Sequence, residues 1–190
     1  MHLKKTDIAK KFIRWYNMAC KVWDRIWARK GVVGMGNTDI KIGKVKSVDF
    51  AIYLGKKARD KHLYVNTTKL QKWLYICYGS YFAKKGEQLF NEIPRAWQYG
   101  PVFPSVYNKQ MKYGHSLHEL VGGIDEDSFS DYDWIIEPVL DYFGKWSANQ
   151  LVSWTHEEGT AWYKQYRLRD EKNTPMDNFD IMSDFKAYVS

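Results

Sequence analysis

Between Thr68 and Gly86 the chain reads TKLQKWLYICYGSYFAKKG, and no other stretch limits the possible folds so tightly. Leu70, Trp73, Leu74, Cys77, Tyr78 and Tyr81 recur at three or four residues, the spacing that lines up one face of an α-helix. Thr68 and Gln71 have capping-box spacing at its start, and Gly86 supplies the residue that most readily leaves a helix at its end. A helix with so bulky a stripe is stable only when other elements cover it, so the chain must build a helical core around this segment.

The remaining pattern supplies the covering elements. Val48, Ala51 and Ile52 share a face of a helix running to about Arg59. The stretch EQLFNEIPRAWQY has few helix signals and predicts a short hairpin. Pro104 suits the first turn of a helix that ends near Gly114, since proline has no N–H to lose there. GGIDEDSFSD reads as an acidic loop. Ile135, Val139, Tyr142 and Phe143 form another helical stripe, in which Pro138 fits only if the helix starts near Trp134. Ser147 and Gln150 repeat the capping-box spacing before Leu151, Val152 and Thr155, and that helix stops by Gly159. A short helix follows from Thr160, then the loop DEKNTP, then Phe179, Met182 and Phe185 at spacings of three. The fold class predicted is mainly α: a compact helical domain of six or seven short helices with a small β-hairpin, plus an N-terminal basic amphipathic helix.

That N-terminal piece is a separate question, because charge is unevenly placed. Residues 1–46 hold 12 Lys and Arg against three Asp, a net of +9, whereas the remainder is close to neutral at −2. Ile8, Phe12, Tyr16, Ala19, Trp23 and Ile26 have helical spacing, and GVVGMGN breaks the helix with three glycines. Lys10, Lys11, Arg14, Trp15, Lys21, Trp23, Arg25 and Trp27 offer cations interleaved with aromatics. Such a surface can contact nucleic acid through phosphates and base stacking, or dock a protein partner. It can equally be a helix packed on the body with a solvated basic face.

Composition removes several function classes. With 45% hydrophobic and 17% aromatic residues the chain can bury a core, which excludes the disordered class. No run approaches the roughly 20 apolar residues of a membrane span, and the first residues lack the apolar run of a secretory signal. Cys20 and Cys77 form no CxxC pair and read as small buried hydrophobes of a cytoplasmic protein. No membrane partner is expected.

Candidate chemistry is thin. HEE at 156–158 lacks the second histidine of a zinc helix, since position 160 is Thr. His156 reads instead as a helix C-terminal residue facing the last carbonyls. His115 and His118 have no third ligand nearby. GVVGMGNTD lacks the GK[ST] of a phosphate loop, and Asp125, Glu126, Asp127, Asp131 and Asp133 lack EF-hand spacing. No nucleophile stands beside a base at a useful spacing. The expectation is a non-enzyme with no catalytic residues, no metal and no cofactor.

The order of segments carries more than any one of them. Leu70, Gln71, Lys72, Leu74 and Tyr75, followed by Gly86, Leu89 and Phe90, then by Ala96, Trp97, Tyr99, Gly100, Pro101, Val102, Pro104 and Tyr107, and later by Thr155, His156 and Trp162, resemble the Panacea domain of SocA-like antitoxins. This is a family of bacterial and prophage proteins. Trp73 stands where the family often has Leu, and Ala161 where Pro is common. The resemblance spans about residues 47–190 and leaves 1–46 as an extension. It implies a mainly helical domain that neutralises a cognate protein toxin, encoded by the adjacent gene, through direct binding. Under this reading Trp97 and Tyr99 form a stiff joint between hairpin and helix, Trp97 buried and some aromatic surface left for a partner. A nucleic-acid-binding regulator acting through the basic N-terminal helix is the alternative of a different class.

Overall fold

A computed structural model describes residues 43–113 and 124–189, with the side chains of 187–189 excluded. The predicted N-terminal helix, with Cys20, and the pair His115 and His118 lie outside the described residues. The rest is mainly helical with one small hairpin, as the pattern predicts. Helix α1 is Ser47–Asp60, α2 Thr67–Lys85, strand β1 Arg95–Trp97, β2 Gly100–Val102 and α3 Pro104–Tyr113. After the undescribed segment come α4 (Asp127–Ser130), α5 (Asp133–Phe143), α6 (Ala148–Thr155), α7 (Ala161–Tyr163) and α8 (Asn178–Val189). A π-helical turn, Lys164–Leu168, continues α7.

Helix α2 is the axis of the fold. It packs against α8, α5, α6, α1, α3 and β2. The sequence predicts one apolar stripe, but the helix is buried nearly all round, from Lys69 to Ser80 without a break. Trp73, Leu74, Ile76, Cys77 and Tyr78 are fully buried, each large side chain contributing about 1.5–3 kcal/mol of transfer free energy. The opposite face admits α8 at close range because Gly79 has no Cβ, and a methyl there would overlap the Phe185 ring. Burial pushes the Cys77 thiol well above its ordinary range, so this cysteine is a packing residue.

Several expectations need correction at their boundaries. The cap of α2 is Asn66, whose side chain accepts from the Lys69 N–H at 2.9 Å. Gln71 therefore plays no capping part. The hairpin lies further along than EQLFNEIPRAWQY suggests: its register pairs Arg95 with Val102, Ala96 with Pro101 and Trp97 with Gly100. Its outer edge is closed by 173–176, through Asn173 N–H to Ala96 O at 2.8 Å and Ala96 N–H to Thr174 O at 3.0 Å. Within the acidic stretch, Asp127–Ser130 forms a short helix rather than a loop. Its neighbours are engaged with α1: Glu126 pairs with Lys56, and Asp133 with Lys57 at 2.6 Å. Helix α5 starts at Asp133, beside Trp134 as expected, yet this still leaves Pro138 a full turn inside, where Trp134 O forgoes its intrahelical donor. Its buried position among Ile135, Val139 and Leu140 offsets that loss. Phe179 is exposed, and Ile181 takes its place against the core.

Other local signals translate directly. Ser147 and Gln150 form the reciprocal capping box, at 3.2 and 2.8 Å. Gly86 adopts φ 72° at the end of α2, and Thr160 caps α7 through Tyr163 N–H at 3.1 Å. Among the described residues no helix is long and apolar enough to cross a membrane, and no group of three or more His, Cys, Asp or Glu could hold a metal.

Candidate functional site

The hairpin and the residue that follows it are fixed to two helices by three polar contacts, and each uses a residue singled out from the sequence. Gln71 of α2 accepts the Phe103 N–H at 2.8 Å and its amide reaches the Phe103 carbonyl at 3.5 Å, all buried. One turn position on, Lys72 donates its ammonium to the Pro101 carbonyl at 2.9 Å. From α7, the Trp162 indole N–H donates to the Trp97 carbonyl at 2.8 Å. Each bond engages a main-chain group of the hairpin or of Phe103, the residue that follows it.

Gly100 sits where these anchors meet. Its φ of +98° is a conformation that only glycine adopts readily, and a Cβ there would lie 2.7 Å from Thr155 Oγ1 and 2.8 Å from Lys72 Nζ. Thr155 in turn donates to Val152 O and accepts, through its carbonyl, from the Thr160 hydroxyl at 2.9 Å. His156 stacks on Trp162 with ring centroids 3.5 Å apart, and Trp162 stacks on Tyr166 at 4.7 Å. The imidazole is pushed down to about 4 by burial, then by Lys72 and Arg167, so it is neutral at pH 7. His156 stands at the C-terminus of α6 as expected, but as a neutral plate in a ring stack.

In front of the anchors is a pocket of about 350 Å³, lined by Thr67, Thr68, Gln71, Lys72, Trp97, Gln98, Tyr99, Val102, Tyr107 and Asn173. Trp97 packs edge-on against Tyr107 at 5.0 Å. Trp97 is half-buried, not buried as expected, because its outer face lines both this pocket and a wider groove with Asn91, Ile93 and Pro104. Tyr99 at the hairpin tip is 67% exposed. An exposed aromatic at a fixed hairpin tip gives contact area at low entropy cost on binding.

The structure thus gathers Gln71, Lys72, Trp97, Tyr99, Gly100, Pro101, Tyr107, Thr155, His156 and Trp162 into one region. Leu70 and Tyr75 are core instead, Tyr75 lying edge-on to Phe185 at 5.4 Å. Pro104 starts α3 and faces the wider groove. Lys10, Lys11, Arg14, Trp15, Lys21, Trp23, Arg25 and Trp27 lie outside the described residues. Sequence reasoning missed Thr67, Gln98 and Asn173 on the pocket wall. For Asn173 the signal was present: an Asn before Thr-Pro is a common left-handed turn residue, and its φ is 59°.

Residues 70–163 match the model of the family described as "Antitoxin SocA-like, Panacea domain". Antitoxin SocA of Caulobacter vibrioides (strain NA1000 / CB15N) is 31% identical over 118 residues, covering 56% of this chain and 62% of the relative. The chain thus matches less than two thirds of that relative's length. No solved structure matches it. The match begins at Leu70 of the central helix, takes in the whole hairpin and ends beside Trp162, so every element that builds the pocket apart from 173–176 and the start of α2 lies within it. Residues 70–163 are thus a Panacea domain of the SocA-like antitoxin family.

Proposed function

We propose that this chain neutralises a cognate protein toxin, encoded by the adjacent gene, by direct binding, and that the pocket with its rim of Trp97, Tyr99 and Tyr107 is the contact site. One observation carries the reading. Residues of α2, α7 and 173–174 hydrogen-bond the hairpin in place, yet its tip leaves Tyr99 and one face of Trp97 to solvent. Burying such rings against a protein stabilises a complex, and aromatic residues dominate binding hot spots. The unit carrying this site is residues 47–190, with 1–46 as an extension that adds contacts.

The test is co-expression of the full chain with the neighbouring gene product, followed by co-purification and rescue of growth. Tyr99→Ala alters an exposed side chain, so the fold should persist while toxin affinity drops at least about tenfold, as for a hot-spot truncation. Undiminished affinity in Tyr99→Ala and Trp97→Ala alike would move the interface elsewhere on the chain. Failure of the wild-type chain to capture or neutralise the toxin would defeat the reading itself.

A further inference from the structure

Lys72 has no acidic partner among the described residues. The side chain is 1% exposed, its ammonium meets one carbonyl, that of Pro101, and no carboxylate pairs with it among the described residues. A buried cation with three donors and one acceptor is an expensive arrangement unless something else supplies negative charge. The pocket that Lys72 helps to wall contains no Asp or Glu at all. Thr67 and Thr68 on the same wall are the first residues of the 19-residue α2, so the amino end of that helix borders the cavity. Trp97, Tyr99, Tyr107 and Val102 complete the wall with apolar surface.

We propose that this pocket receives an acidic side chain, Asp or Glu, of the partner protein, attracted by the Lys72 ammonium and the amino end of α2, while the rim aromatics cover the apolar residues beside it. The inference rests on the direct-binding reading above and names the chemistry of the partner at that site. Geometry and low dielectric make the charge count: a carboxylate in a cavity of this size is largely stripped of water, where a nearby fixed cation is felt strongly. Lys72 itself has its proton held loosely, burial pushing it down to about 7, so a bound carboxylate also restores the charged form. The groups that face the ammonium are Gly100 and Pro101 from the hairpin, Thr155 and neutral His156 from α6, with Arg167 beyond His156. On α2 itself Lys69 points away, donating to Gly144 O at 2.7 Å.

The probes are blocked tripeptides, Phe-Glu-Phe amide and Phe-Gln-Phe amide, with Phe-Gln-Phe bearing a free C-terminal carboxylate as a third. Binding to the full chain is read from the Trp97 indole N–H signal in ¹⁵N-labelled protein. The Glu amide should bind about tenfold more tightly than the Gln amide at pH 6.5, and the preference should fade by pH 9 as Lys72 deprotonates. Lys72→Met should abolish the preference. Gln98→Glu, a change at an exposed position that leaves the core untouched, should weaken it by several-fold through like-charge repulsion.

Equal binding of the Glu and Gln amides overturns the proposal, as does saturable binding by none of the three. Tighter binding of the peptide with the free end overturns the side-chain assignment in favour of a chain terminus. A preference that survives both Lys72→Met and Gln98→Glu places the acidic group elsewhere. Toxin capture separates the two levels: unchanged capture by Lys72→Met defeats this inference alone, whereas no capture by the wild type defeats the direct-binding reading.

Discussion

Replacing Lys72 with methionine should make the protein more stable at neutral pH, and by a margin that changes with pH in a defined way. Burial lowers the ammonium from its ordinary 10.5 to about 7. Between those values the unfolded chain keeps a proton that the folded chain releases, so folding stability rises with pH across the window. At about 1.4 kcal/mol per pH unit, the residue costs the fold roughly 4 kcal/mol at pH 7 and roughly 1 kcal/mol at pH 10. Methionine fills nearly the same volume without charge, but leaves the Pro101 carbonyl without its donor, a loss of about 1–2 kcal/mol. The variant should therefore be more stable than wild type by about 2–3 kcal/mol at pH 7 and slightly less stable at pH 10, with the curves crossing between. Urea unfolding of both proteins from pH 6 to 10 measures this. His156, which Lys72 helps to hold neutral, differs between the two proteins only towards pH 6, and the other titrating groups cancel in the difference. Parallel stability profiles would refute the reasoning, because they would mean that Lys72 titrates alike in the folded and unfolded chains.

Four further outcomes follow from the same geometry. Gln71→Leu strands the buried Phe103 N–H and should cost about 1–3 kcal/mol in denaturant unfolding, although it adds apolar bulk to the core. Gly100→Ala meets both a strained φ and the Lys72–Thr155 contact, and should lower stability by about 2–4 kcal/mol, whereas Gly159→Ala, with open space at φ +85°, should cost only about 1–2. Trp97→Ala, being half-buried, should fall below the roughly 3–5 kcal/mol of a fully buried tryptophan, and a cooperative melt within error of wild type would place the whole ring at the surface. Acidification from pH 6.5 towards 4 should destabilise the protein through His156, whose folded form resists the proton, and His156→Phe should keep the stack with Trp162 while removing that share of the slope.

What the sequence disclosed and what it hid divide along a physical line. Signals that act within one turn of chain were legible: the Ser147–Gln150 box, Gly86 at a left-handed C-terminus, a short helix opening at Thr160 and Pro104 at a first turn all depend only on neighbours three or four residues away. Gln71 shows the limit. Its spacing from Thr68 fits a capping box, but the amide is taken by Phe103, 32 residues on, and Asn66 caps the helix instead. Periodicity also undercounts a helix that is covered on every side, because Lys69, Gln71 and Lys72 are polar letters whose polar tips are satisfied inside. A pattern scored by residue type reads such positions as solvent-facing. The burial of Trp97 was overestimated for the converse reason: aromatic letters predict burial, and a hairpin tip exposes whichever ring lies on its outer face.

The three anchors differ in what they tolerate, and that difference bears on how the site works. The bonds from Gln71 and Trp162 are neutral and have no pH dependence in the physiological range. The Lys72 bond is the one that can change strength, because an ammonium donates more strongly than an amine. When the pocket is empty near neutral pH, the proton on Lys72 is loosely held and Pro101 is the anchor with the weakest tie. A carboxylate arriving in the pocket would raise the charged fraction and tighten Pro101 against α2 at the moment of binding. The hairpin would then be most firmly held when Tyr99 and Trp97 are covered. Proton uptake on toxin binding is the signature: calorimetry in two buffers of different ionisation enthalpy at pH 7.5 should show a fraction of a proton taken up per complex. Lys72→Met should abolish that uptake. Buffer-independent heats for the wild type would show that the toxin is bound without any change at Lys72, and the hairpin would then be as rigid before binding as after it.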